Sequence, residues 1–225
     1  MLTALLFDLD GTLTDTDTLH LQAFRKLLHD HDGRALTQEQ FDTQVSGRSN
    51  GLLFADLFPQ ADTAERQRLA ERKEALFREL SPSLSPLPGL LDLLAHAEQH
   101  GIGMCVVTNA PRLNAEHMLG AMGLDERFKH VLVADELERP KPDPLPYLTG
   151  LQRLGANAGQ ALAFEDSLPG VKAAVDAGIF TVGLATTQPA ERLLEAGAQL
   201  VIADYDDPRL WALIEQMQTQ VRDVL

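Results

Sequence analysis

Leu2-Thr3-Ala4-Leu5-Leu6-Phe7-Asp8-Leu9-Asp10-Gly11-Thr12 is the stretch on which the fold turns. A mostly apolar run long enough for a buried strand, Leu2–Leu9, carries the first of two acids spaced two apart near its end, and a glycine follows the second. Residues two apart in a strand share a face, so Asp8 and Asp10 are expected on one side. Gly11 ends the strand and lets the backbone turn close to a ligand. The run is nearly all apolar rather than alternating, as in strands covered on both faces of a parallel sheet. Similar runs recur at Ile102–Val107, Val131–Ala134, Ala161–Phe164, Phe180–Leu184 and Leu200–Ala203. Between them lie amphipathic stretches such as Pro111–Met122, Leu145–Leu154 and Ala190–Ala196. This alternation predicts an α/β fold with a doubly wound parallel sheet and right-handed crossovers.

The alternation fails once. From about Thr16 to Leu80 the pattern is helical only: Leu19, Phe24, Leu27 and Leu28 line one helix face, and Ala64–Leu80 reads as a longer, charged helix. An all-helical piece inserted after the first strand is the simplest reading. Gly11–Asp17 leads into it, and Ser81–Gly89, with three prolines and a glycine, forms a stiff way out. The expected division is a core of residues 1–15 and 83–225 and a helical cap of residues 16–82, joined by a double hinge.

The 225 residues carry a formal charge of −14 and 44% hydrophobic residues, ordinary for a globular chain. The acidic balance and sparse aromatics argue against nucleic-acid binding. No apolar run approaches a membrane span or a signal-peptide core. The lone Cys105, in an apolar setting, reads as an inert buried thiol in a reducing compartment. The expectation is a cytoplasmic protein, a monomer or weak homodimer, with no nucleic-acid or membrane partner.

Doubly wound sheets bind ligands at the carboxyl ends of their strands. There the sequence places Asp8 and Asp10, then Thr108 and Asn109, then Lys141 in Arg139-Pro140-Lys141-Pro142, then Glu165 and Asp166. Clustered oxygen ligands of this kind suit Mg²⁺. Two carboxylates beside a divalent cation can divide the work, one attacking and the other exchanging a proton. Lys141 can neutralise a phosphoryl group and the attacking carboxylate, and Thr108 can donate its hydroxyl to phosphoryl oxygens.

In this order, Asp8-Leu9-Asp10-Gly11-Thr12-Leu13-Thr14, Thr108-Asn109, Lys141-Pro142 and Glu165-Asp166-Ser167-Leu168-Pro169-Gly170 resemble the haloacid dehalogenase superfamily of phosphohydrolases. The helical insert resembles the cap of phosphoglycolate phosphatases, small sugar phosphatases and β-phosphoglucomutase. The resemblance implies that Asp8 is the nucleophile of an aspartyl-phosphate and that Asp10 is the general acid and then the base. It implies Mg²⁺ held by the Asp8 carboxylate, the Asp10 carbonyl and Asp166, with Glu165 acting through a water. Thr108 and Lys141 would grip the phosphoryl group, with Asn109 near it. The substrate implied is a small phosphate monoester, a sugar phosphate or a phosphoglycolate-like metabolite. Thr108-Asn109-Ala110-Pro111 resembles the hydrolases, whereas the mutase carries a Ser-rich segment there. A phosphosugar mutase on the same intermediate is the alternative.

In the insert, His20 and Arg48 are the candidate substrate contacts, Arg48 within the Val45–Asn50 loop; His20 can equally pack at the cap surface. Lys73, in Glu71-Arg72-Lys73-Glu74, reads as a solvated helix face. His29 and His31 fall in an Asp-rich loop without a third ligand. Asn109 either caps the next helix or touches substrate, and Ser167 reads as an N-cap.

Overall fold

The computed structural model describes residues 1–45 and 50–219. They form two compact units, one of Met1–Asp15 and Ser85–Leu225, the other of Thr16–Leu84.

The first unit holds a six-stranded, wholly parallel sheet: β1 (Ala4–Phe7), β2 (Gly103–Thr108), β3 (Val131–Val133), β4 (Ala161–Glu165), β5 (Phe180–Leu184) and β6 (Leu200–Ile202). The spatial order is β3-β2-β1-β4-β5-β6. The order reverses between β1 and β4, which makes the carboxyl ends of those two strands the switch point where ligands bind in such sheets. β1 is shorter than its apolar run. The chain starts to turn at Asp8, which still donates its N–H to the Phe164 carbonyl at 3.0 Å.

Strand pleating sorts the core by parity. Leu6, Cys105, Val107 and Ala163 face one side, where they pack with Tyr147 and Leu151 of one helix and Ala173 and Ala174 of another. Phe7 and Phe164, paired in register, stack at 4.9 Å on the opposite side, beside Tyr205 and Phe128. Each such ring pair adds about 0.5–1.5 kcal/mol beyond its buried area. The helices of this unit are numbered after the four of the insert: α5 (Leu90–Gln99), α6 (Arg112–Met122), α7 (Leu145–Leu154), α8 (Leu168–Asp176), α9 (Ala190–Glu195) and α10 (Pro208–Thr219).

The second unit contains helices α1 (Asp17–Asp32), α2 (Gln38–Gln44), α3 (Asn50–Leu57) and α4 (Thr63–Leu80). α1 packs on α4 over buried Phe24, Leu27, Leu28, Leu76 and Phe77. The starts of α2 and α4 are fixed by Thr37, in a capping box with Gln40, and by Asp62, which accepts from the Glu65 N–H. α1 runs longer than expected. Gly33, left-handed at φ 77°, stops it, so His29 and His31 lie in its last turn rather than in a loop. Among the described residues no helix is long and apolar enough to cross a membrane.

Candidate active site

Register builds the site. Phe7 is level with Phe164, so the next residues along, Asp8 and Glu165, leave β1 and β4 side by side, on the face covered by α7 and α8. Asp166 follows Glu165, and Ser167 caps α8 by accepting the Gly170 N–H at 3.1 Å. Asp8, Glu165 and Asp166 are buried, and each offers a carboxylate oxygen within 4.8 Å of the others'.

Lys141 ties this cluster together. Its Nζ donates to Asp8 Oδ1 at 2.6 Å, to the Val107 carbonyl at 2.6 Å and to Glu165 Oε1 at 2.5 Å. An ammonium has three donors, and here three acceptors meet them. Burial alone would lower the Lys141 pKa, but Asp8 and Glu165 outweigh it and push it up. Burial raises Asp8 well above the usual carboxylate range; Lys141 pulls it back in part, while Glu165 and Asp166 push further. Burial, followed by the charge of Glu165, lifts Asp166 to about 7 against the hydroxyls of Thr187 and Thr12.

These residues fit a divalent cation. Three buried carboxylates face one buried ammonium, and the loss of water leaves the excess negative charge poorly screened. A hard cation with oxygen ligands, such as Mg²⁺, would cancel that excess.

The other expected residues fall into three groups. Asp10 and Thr108 are at the same end of the sheet: Asp10 sits past the end of β1 in the turn, half-buried, so it does not share a strand face with Asp8 as the spacing suggested. The Thr108 hydroxyl accepts the Ala110 N–H at 2.9 Å, which leaves its proton to donate. Asn109 is not a helix cap, because α6 begins after Pro111 without a side-chain bond. Its Oδ1 is the one buried side-chain polar atom without a partner among the described residues. His20 belongs to the helical unit, where its ring stacks on Phe77 at 4.2 Å and its Nδ1 lies 2.8 Å from Lys73 Nζ. Arg48 lies outside the described residues.

Lys73 corrects the reading of a solvated face. It is 4% exposed, with Nζ 4.8 Å from the Phe24 ring centroid and 3.2 Å from Glu74 Oε1. Residues three and four apart share a helix face, so Lys73 follows the buried Leu76 and Phe77 inward. Its charged sequence neighbours conceal this.

Two further features were missed. The Tyr147 hydroxyl donates to Glu165 Oε1 at 2.6 Å from within the core, and its ring lies 5.2 Å from Lys141 Nζ. Its position, six residues after Lys141 and early in α7, is the signal that would have found it. The fifth strand end contributes Thr186 and Thr187, which the strand-end rule would have included had it been carried past β4.

Residues 5–184 match the model of the haloacid dehalogenase-like hydrolase family, and the chain belongs to that family. A validoxylamine A 7'-phosphate phosphatase from Streptomyces hygroscopicus subsp. limoneus is 33% identical over 209 residues, 87% of this chain and 91% of its own. A phosphorylated carbohydrates phosphatase from Thermotoga maritima is 31% identical over 206 residues, 88% of this chain and 93% of its own. Among solved structures, a β-phosphoglucomutase from Clostridium difficile superposes with a TM-score of 0.83 at 25% identity, covering 98% of this chain and 99% of that one.

Proposed function

We propose that this chain is a Mg²⁺-dependent phosphatase of a small phosphate monoester, a phosphorylated sugar or a compound of similar size, working through an aspartyl-phosphate on Asp8. The observation that carries this reading is the Lys141 ammonium bonded to both Asp8 and Glu165 inside a cluster of three buried carboxylates. The two phosphatase relatives support the choice of a phosphorylated carbohydrate.

With Lys141 bonded to Asp8 Oδ1 and holding the carboxylate in place, one Asp8 oxygen attacks phosphorus while the ester P–O bond breaks. Asp10, less buried than Asp8, gives its proton to the leaving alkoxide oxygen. It then takes a proton from the water that attacks the phosphoryl group, which restores Asp8 and releases orthophosphate. Asp8, Asp166 and the Asp10 carbonyl would hold Mg²⁺, with Glu165 reaching it through a water, and the ion would supply neutralisation of phosphoryl charge. Thr108 and Asn109 meet the transferring group from the end of β2. The helical unit is the part assigned to substrate choice, with His20 and Arg48 as its candidate contacts. The cytoplasm is the proposed compartment.

The similarity to a β-phosphoglucomutase keeps one alternative in view, transfer of the phosphoryl group to a second substrate hydroxyl. A panel of sugar phosphates, phosphoglycolate and nucleotides, assayed with Mg²⁺ for free phosphate and for isomerised sugar phosphate, separates the two. Stoichiometric phosphate release from a few small esters is expected. Interconversion of 1- and 6-phosphates without release would replace the phosphatase with the mutase.

A further inference from the structure

The loop after β5 brings in two adjacent hydroxyls, one on the turn after β1 and one on the carboxylate cluster. Thr186 Oγ1 donates to the Gly11 carbonyl at 2.5 Å. Thr187 Oγ1 lies 2.6 Å from Asp166 Oδ2 and 3.0 Å from the Asp166 carbonyl, and its single proton serves the shorter contact. On the other Asp166 oxygen, Oδ1, Thr12 Oγ1 donates at 3.0 Å. The carboxylate is therefore gripped at both oxygens, from the turn after β1 and from the loop after β5. Gly11 closes the gap between them: a Cβ there would overlap the Asp166 carboxylate and approach Thr187 Cγ2 to 2.9 Å.

We infer that Thr187 is a positioning residue of the cation site, its hydroxyl fixing the orientation of the Asp166 carboxylate and thereby the affinity for a divalent cation. The inference rests on the proposed role of Asp8 and Asp166 as ligands. A free carboxylate can rotate about its Cβ–Cγ bond, and a hydrogen bond to one oxygen resists that rotation less than bonds to both. Groups that orient metal ligands in this way typically change affinity 10–100-fold. Thr187 needs no contact with substrate for this effect, so metal binding should weaken while turnover at saturating metal changes little.

Calorimetric titration of Mg²⁺ into the metal-free full chain tests it, with Thr187→Val, Thr187→Ala and Thr187→Ser alongside the parent. Binding to Thr187→Val and Thr187→Ala is expected to weaken about tenfold, and Thr187→Ser to stay within about twofold of the parent. In phosphate release, the Mg²⁺ concentration for half-maximal rate should rise by the same factor, with kcat kept within about threefold. The alanine variant carries the test should valine strain the loop. Unchanged Mg²⁺ affinity in the valine or alanine variant, or an equal loss in the serine variant, overturns the role of the hydroxyl. Failure of the parent protein to bind Mg²⁺ overturns the metal reading itself and this inference with it.

Discussion

Lys141 Nζ lies 2.6 Å from Asp8 Oδ1, a largely buried pair drawn together from 133 positions apart. The same ammonium holds Glu165, so its loss strands two carboxylates in the core. Breaking a buried pair from one side costs about 3–5 kcal/mol. Lys141→Met is expected to lose about that much stability in urea and to be inactive. Lys141→Arg should not restore it, because a planar guanidinium cannot converge on three acceptors arranged around a point. A Lys141→Met protein as stable as the parent would show that the ammonium does not hold the cluster.

Asp8→Asn removes the proposed nucleophile but keeps its shape. Turnover should fall by on the order of 10⁴ or more, the scale of nucleophile deletions in other enzymes. Burial disfavours the Asp8 charge, so neutralising it is expected to leave the urea midpoint unchanged or slightly higher. Phosphate release and denaturation on the same preparation check both halves.

Gly170 sits in the first turn of α8 under Glu165, and a Cβ there would collide with the carboxylate. Gly170→Ala should displace Glu165 from Lys141 and Tyr147, costing about 1–3 kcal/mol as overpacking does and depressing kcat. Gly120, in α6, has open space around it. Gly120→Ala is expected to stabilise by about 0.5–1 kcal/mol, since alanine is the better helix former. Thermal melts of the pair would show opposite shifts.

Cys105 is held away from ionisation. Burial raises its thiol from 9.0 to about 12. The native protein should resist a thiol reagent at pH 8 and react fully once denatured. The folded thiol keeps its proton where the unfolded one loses it. The stability contributed is therefore complete below about pH 9 and falls above that by up to ~1.4 kcal/mol per pH unit. Cys105→Ala should flatten that alkaline slope in urea denaturation measured between pH 8 and 10.

The sheet was legible because strands covered on both faces must be apolar throughout. Phe180–Leu184 and Leu145–Leu154 are found end to end as the pattern marks them. The apolar run Leu2–Leu9 overshoots the strand at its far end because apolarity cannot tell a ladder from the turn that leaves it; Leu9 is buried beyond the strand. Asp8, Lys141, Glu165 and Asp166 were legible through one topological rule, that ligand sites gather at strand ends. Lys73, Tyr147 and Thr187 were not, because each acquires its meaning from a partner distant in sequence. Lys73 is enclosed by α1, Tyr147 meets Glu165, and Thr187 meets Asp166. A buried lysine and an exposed one look alike among charged neighbours.

Orthophosphate release from the best ester of the panel, by the parent protein and by Asp8→Asn, each with Mg²⁺ and with EDTA, tests the central claim most directly. Release is expected from the parent protein with Mg²⁺ and from none of the other three. Equal release in EDTA would contradict the metal, and release by Asp8→Asn near the parent rate would contradict Asp8 as the nucleophile.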